Sequence, residues 1–155
     1  MTLNGKRVLV TGGGSGAGAD LARGFAEAGA EVVISGRRAE ALKAVAEPLG
    51  ARWVQADVTD EASVAAMFRA AGPCDIVIAN AGAADSAVLA KTTLAQWNAM
   101  IAVNLTGVFL TFREALGQFP GEGRLIAVAS TAGLKGYAKV APYAAAKHGV
   151  VGLVR

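Results

Sequence analysis

Tyr143 and Lys147 stand four residues apart in the run Tyr143-Ala144-Ala145-Ala146-Lys147, a spacing that sets both side chains on one face of a helix. The pairing has chemical meaning. A phenol ionises near pH 10, so acting as a base at neutral pH requires roughly 4 kcal/mol of preference for the phenolate, about 3 units. One nearby cation supplies about 1–3 units, so Lys147 alone is marginal and a second positive charge would have to provide the rest. Tyr and Lys also meet at this spacing on ordinary helices with the lysine in water, so the pair gains its weight from its companions. Ser130 lies upstream in Ala129-Ser130-Thr131; with His148 it would make a hydrolase dyad, but the G-x-S-x-G elbow is missing. His148 is the only histidine, so a histidine-based metal cluster is excluded and no metal site is expected.

A second constellation stands near the N-terminus. Thr11-Gly12-Gly13-Gly14-Ser15-Gly16-Ala17-Gly18 follows a short apolar run and opens a helical pattern. Glycines allow close backbone approach, and the helix start offers free N–H groups and a positive dipole end to a pyrophosphate. Gly14, Gly16 and Ala19 satisfy G-x-G-x-x-A, although so dense a string of glycines fits several templates. The next apolar run ends in Ser35-Gly36-Arg37-Arg38. An acidic residue at such a tip would bind a ribose 2′-hydroxyl; two guanidiniums favour a 2′-phosphate instead, and so NADP(H) over NAD(H).

These residues need elements to hold them. Arg7 to Val10, Glu31 to Ser35, Arg52 to Gln55, Ile76 to Ala79 and Leu125 to Ala129 read as strands, and their near-continuous apolar character predicts a parallel sheet covered on both faces. Helical patterns separate them. Ala17 to Ala28 is the clearest, with Leu21, Phe25 and Ala28 on one stripe and Gly29 after it. Leu94 to Phe119 is also helical, with Leu105, Phe109 and Phe112 three to four apart and a kink expected at Gly107. The last helix pattern starts near Tyr143 and is still running at Arg155. With right-handed crossovers this alternation gives an α/β fold, a doubly wound parallel sheet of Rossmann type whose ligands sit at the carboxyl ends of the strands. One domain is expected over residues 1–155.

Composition narrows the function. Of 155 residues, 54% are hydrophobic and 20 are glycine, which suits a core of small residues packed closely. The net charge of +3 is spread along the chain, with no basic block for nucleic acid. Cys74 is the only cysteine and reads as a small buried hydrophobe in a reducing, cytoplasmic setting. Met1 to Val10 holds too few apolar residues for a signal-peptide core. No uninterrupted apolar run approaches about 18 residues, so no membrane span is expected.

Taken together the residues resemble the classical short-chain dehydrogenase/reductase family, most closely bacterial β-oxoacyl reductases and related secondary-alcohol dehydrogenases. Thr11-Gly12 to Gly16-Ala17-Gly18 matches that family's T-G-x-x-x-G-x-G turn, Asp57 follows the third strand, and Ala79-Asn80-Ala81-Gly82 is similar to its N-N-A-G. Asn104, Ser130, Tyr143 and Lys147 fall in its catalytic order. The resemblance implies hydride transfer between a nicotinamide cofactor and a secondary alcohol or ketone. It implies that Tyr143 exchanges a proton with the substrate oxygen, that Ser130 hydrogen-bonds that oxygen, and that Lys147 holds the nicotinamide ribose while favouring the phenolate. Asn104 would position a water linking Lys147 to solvent. Gly12, Ser15, Gly16, Ala17, Gly18, Arg37, Asp57, Val58, Asn80, Ala81 and Gly82, together with Tyr143 and Lys147, would hold the cofactor, with Asp57 at the adenine and Asn80 to Gly82 under its central part.

Two positions depart from the family: Ala79 replaces the first Asn, and Ala17 a larger aliphatic residue. Length departs further. Family members continue past the Tyr/Lys helix into a strand, a substrate-covering loop and a last edge strand, so the sheet is expected to be incomplete at its C-terminal edge and the substrate segment missing. The resemblance also implies a homotetramer built partly on the helices after Leu94 and Tyr143. A non-catalytic dinucleotide-binding module is the alternative, disfavoured because such a module has no use for all four catalytic residues. An epimerase or dehydratase of the extended branch would need G-x-x-G-x-x-G, which Gly13, Gly16 and Ala19 meet only with a substitution.

Overall fold

Strand and helix alternate along the chain in a computed structural model that describes residues 2–119 and 121–155. The strands are β1 (Arg7–Thr11), β2 (Glu31–Gly36), β3 (Arg52–Gln55), β4 (Ile76–Ala79) and β5 (Arg124–Ala127). They form one parallel sheet in the order β3-β2-β1-β4-β5. The chain therefore winds outward from β1 to β3, crosses back, and winds the other way through β4 and β5. That reversal leaves a crevice above β1 and β4, where ligands of such sheets bind. β5 stops two residues short of its expected end, although the Val128 N–H still reaches the Ala79 carbonyl at 3.0 Å.

Successive side chains of a strand face opposite ways, and each face finds a layer of helices. Val8, Val10, Val32 and Ile34 pack with Leu21, Ala22 and Phe25 of α1 (Gly16–Glu27) and with Leu42 and Ala46 of α2 (Ala39–Leu49). Leu9, Val33 and Val77 pack on the other face with Val64, Met67 and Phe68 of α3 (Glu61–Ala71) and with Leu110 farther along. Each fully buried Leu or Val contributes roughly 1.5–3 kcal/mol of transfer free energy.

The stretch after Leu94 is three pieces. α4 (Leu94–Ile101) starts with a capping box between Thr93 and Gln96 and runs into a π turn over Ala102–Thr106, followed by α5 (Gly107–Leu116). The expected kink is thus a wider turn just before Gly107. Its looser winding moves the inward face by about one residue, so Val108 and Phe112 are buried while Phe109 turns outward beneath Arg113. Gly107 has a packing reason, since a methyl group there would come within 2.8 Å of Val58 Cγ2. Leu94 to Leu116 spans 23 residues with an 18-residue window of mean hydropathy 1.3, long and apolar enough by that measure to cross a membrane although it contains no uninterrupted apolar run of that length. Here they are a core helix, packed on α6 (Ala141–Leu153), α3 and β4. α6 begins two residues before Tyr143 and ends at Leu153, not beyond Arg155.

Candidate active site and cofactor groove

The glycine turn leaves β1 and enters α1 at the crevice. Gly12 has φ +69°, and a methyl group on it would lie 2.8 Å from Ala81 Cα. One on Gly18 would collide with the Gly12 carbonyl and come within 2.5 Å of Asn80 Nδ2. A methyl on Gly16 would meet nothing, so that position needs glycine for its φ of +53°. These are the glycines of T-G-x-x-x-G-x-G, which separates that form from the G-x-G-x-x-A alternative. Asn80 ties the turn to β4: its Nδ2 donates to the Thr11 carbonyl at 2.9 Å, and Thr11 Oγ1 accepts from the Asn80 and Ala81 N–H groups at 3.1 Å.

A groove of about 490 Å³ opens over this turn. Of the residues expected to hold a cofactor, Gly12, Ser15, Ala17, Gly18, Arg37, Asp57, Val58, Asn80, Ala81 and Gly82 line it, whereas Gly16, Tyr143 and Lys147 do not. Gly14 of the glycine string and Arg38 of the arginine doublet line it as well, and so do Gly36, Ala41, Leu42, Ala56 and Val103, which were not foreseen as contacts. Gly36 and Ala56 were within reach of sequence reasoning, because strand tips are where such ligands sit. Val103 comes from the π turn, and nothing local in the sequence brings it to the groove. Ser15 caps α1 in position only, since its side chain accepts no hydrogen bond from the helix, and the first turn carries no carboxylate. The opening N–H groups of α1 therefore face the groove without a side-chain acceptor, which fits a pyrophosphate.

At the outer end of the groove Arg38 Nη2 donates to Ser15 Oγ at 3.3 Å. Arg37 stands near Asp57. The Asp57 carboxyl is held below the usual carboxylate range, chiefly by the Thr59 N–H at 2.9 Å, with the Thr59 hydroxyl at 2.8 Å and the Arg37 charge adding to it against the cost of burial.

The second cluster sits beside the groove. Lys147 is only 4% exposed, and its Nζ donates to the Val128 carbonyl at 2.8 Å. Burial pushes its pKa below that of an ordinary lysine. Its ammonium lies 5.8 Å from the centre of the half-buried Tyr143 ring. Ser130 heads the 3-10 turn Thr131–Gly133, where its Oγ accepts from the Ala132 N–H at 3.1 Å. That leaves the hydroxyl hydrogen free to donate. Asn104 is wholly buried, and its Nδ2 donates to the Ala83 carbonyl at 2.8 Å and the Met100 carbonyl at 3.1 Å. Both amide hydrogens are thus spent within the protein, so the side chain braces the segment after β4, and a water held by it would donate to Oδ1. His148 is exposed, with Nδ1 2.9 Å from the Ala144 carbonyl, and takes no part. Cys74 is buried and its thiol pushed up to about 11, as a small hydrophobe should be.

A doubly wound parallel sheet with a glycine turn at its switch point defines a Rossmann-type fold, and a lysine buried against a tyrosine stands as its candidate acid–base pair. The chain belongs to the short chain dehydrogenase family, which it matches over residues 6–155. It is 45% identical over 95% of its length to a cis-4-hydroxycyclohexanecarboxylate dehydrogenase of Sinomonas cyclohexanicum, and 39% identical over 99% to a D-beta-hydroxybutyrate dehydrogenase of Cupriavidus necator. The chain spans 64% of the length of each of these relatives. Among solved structures, one from Beutenbergia cavernae, described as an NAD(P)-dependent gluconate 5-dehydrogenase with NADP bound at low occupancy, superposes with a TM-score of 0.94 at 35% identity. That match covers 99% of this chain and 66% of the other.

Proposed function

We propose that this chain is the cofactor-binding and catalytic part of an oxidoreductase that interconverts a secondary alcohol and a ketone with NADP(H), NAD(H) being the weaker partner. The observation that carries the reading is Lys147, buried, pinned to the Val128 carbonyl and set behind Tyr143 at the edge of the groove. A buried lysine is costly, and a role in chemistry accounts for it. Both named relatives are dehydrogenases of hydroxy acids, which makes a hydroxy acid the substrate class to try first.

NADP(H), when bound, supplies the hydride chemistry. In the reduction direction the Tyr143 hydroxyl gives its proton to the substrate oxygen, and the free hydrogen of Ser130 holds that oxygen in place. Lys147 keeps two N–H donors beyond the one given to Val128, enough for a ribose hydroxyl and a water. Its charge favours the phenolate that remains. The water expected at Asn104 would donate to its Oδ1, which accepts from the Ala83 N–H at 3.3 Å and keeps a second lone pair. Asp57 and Val58 receive the adenine, the start of α1 the pyrophosphate, and Arg37 with Arg38 the 2′-phosphate.

The full-length protein is expected to oxidise NADPH in the presence of an oxo acid. Tyr143→Phe, which keeps the ring and removes the proton, should lower turnover by about 10²–10⁴-fold while fluorescence titration shows unchanged NADPH affinity. Normal turnover in that variant would remove Tyr143 as the acid–base. We place the enzyme in the cytoplasm, which the free and buried Cys74 suits. A homotetramer using the exposed Leu94, Trp97, Phe109 and Leu116 on α4 and α5 is the assembly to test by mass in solution.

A further inference from the structure

α6 carries both Tyr143 and Lys147, and it meets its two supports through glycines. Gly133 closes the 3-10 turn that Ser130 begins, and a methyl group on it would lie 2.7 Å from the Lys147 carbonyl oxygen, 3.0 Å from the carbonyl carbon and 3.1 Å from Val151 Cγ2. Gly149 follows Lys147 by two residues and faces the π turn of Asn104; a methyl there would lie 2.7 and 3.0 Å from the two Cδ atoms of Leu105. Ordinary contacts of this kind begin near 3.4 Å. Neither glycine has a positive φ, so conformational freedom does not explain them. Gly149 is also inside a helix, where glycine is destabilising relative to alanine. What both positions require is the missing side chain.

We propose that Gly133 and Gly149 are positioning residues for Lys147: by letting α6 settle fully against the Ser130 turn on one side and the Asn104 turn on the other, they set how far the Tyr143 phenol, carried by α6, lies from the Lys147 ammonium, which the Val128 carbonyl holds. The inference rests on the proposed reading of Tyr143 and Lys147 as the working pair. Lys147 links the pieces, since its Nζ bonds the Val128 carbonyl two residues before Ser130, while its own carbonyl is what Gly133 touches. The two contacts differ in how they can yield. Gly133 meets mainly backbone, which must move as a body, whereas Gly149 meets the far end of a leucine side chain, which can be trimmed. A shift of α6 by several tenths of an ångström follows for an alanine at Gly133, and a misplacement of about 1 Å costs on the order of a hundredfold in rate.

The test uses Gly133→Ala, Gly149→Ala, Leu105→Ala and the double variant Gly149→Ala/Leu105→Ala in the full-length protein, with kcat and KM for alcohol oxidation followed against pH and crystal structures of the variants. Gly149→Ala is expected to lower kcat about tenfold and Gly133→Ala more, with the acid limb of the profile displaced to higher pH because the phenol moves with α6 while the ammonium stays tied to the Val128 carbonyl. Trimming Leu105 should return the Gly149→Ala profile toward that of the parent. A merely structural role would lower the melting temperature without moving the limb, and that result in both glycine variants overturns the inference, as does a double variant that shows only the summed losses of its parts. If the parent has no dehydrogenase activity, the proposed function fails. The crystal structures still decide the positioning claim, because α6 unmoved in both glycine variants refutes it.

Discussion

Arg37 and Arg38 divide the mouth of the groove between them. Arg38 reaches across to the Ser15 hydroxyl, and Arg37 turns toward Asp57, whose carboxylate its charge helps to hold ionised. Both side chains are exposed, so their worth lies in what they bind rather than in the fold. Replacing Arg37 by Ala should weaken NADPH more than NADH by about 1–3 kcal/mol if its guanidinium pairs a 2′-phosphate; fluorescence titration with both cofactors checks it, and equal losses would transfer that role away from Arg37. The doublet was legible in the sequence because a strand tip without a carboxylate is a local feature. That Arg38 and Ser15, 23 residues apart, meet was not, since only the packing of α2 beside α1 brings them together.

The π turn shows how one element sets the geometry of others. A helix register and a glycine at position 107 foretell a defect, yet the widened turn, the outward Phe109 and the inward Asn104 depend on what the segment packs against. Asn104 joins this turn to the segment that follows β4 through two hydrogen bonds with Ala83, and donates a third to the Met100 carbonyl one turn back in its own helix. Asn104→Ala removes these three hydrogen bonds, of which the one to Met100 is buried, a loss of about 0.5–1.5 kcal/mol for each. The variant is expected to show a lower melting temperature together with weaker NADPH binding, because Gly82, which lines the groove, lies so close to the Asn104 side-chain Oδ1 that a methyl on it would come within 2.8 Å. Loss of turnover with stability and cofactor affinity both intact would instead assign the side chain to the reaction itself.

Across the whole molecule, chemistry and stability are placed at opposite ends of the sheet. At the amino ends of the strands Arg7 pairs with Glu31 at 2.9 Å, Lys6 with Asp75 at 2.8 Å, and Arg7 and Arg52 donate to the last carbonyls of α3 and just beyond it. Glu31 is held below its ordinary value of 4.5, chiefly by the Arg7 hydrogen bond, and Asp75 below 3.8, chiefly by Lys6. A carboxylate with a depressed folded-state pKa adds stability that is present above its unfolded value and disappears as pH falls through the folded one. The melting temperature should therefore drop as pH falls below about 4.5, and Glu31→Gln should flatten that drop. The effect is modest and weakened by salt, since Glu31 is 46% exposed. Thermal melts against pH at low and high salt measure it, and kcat/KM at neutral pH should be unchanged. A slope identical in both proteins would remove Glu31 from the acid response.

The order of strands and helices, the glycine turn and the Tyr143 to Lys147 spacing were all determined by the sequence itself, because each depends on neighbours within a turn or two: apolar runs, helix starts and residues that share a helical face. Tertiary structure alone decided which glycines are required, since Gly18 is forced by Asn80, Gly133 by Lys147 and Gly149 by Leu105, all contacts between distant segments. It also decided what each polar side chain is free to do. From its type Asn104 is a plausible holder of water, but its two amide hydrogens go to Ala83 and Met100, which leaves Oδ1 for that role; Lys147 is an ordinary lysine in the sequence and a buried, desolvated one in the fold. A hydrogen-bond inventory belongs to a residue, but how it is used is settled by whichever chain segments packing brings within 3 Å or so of it.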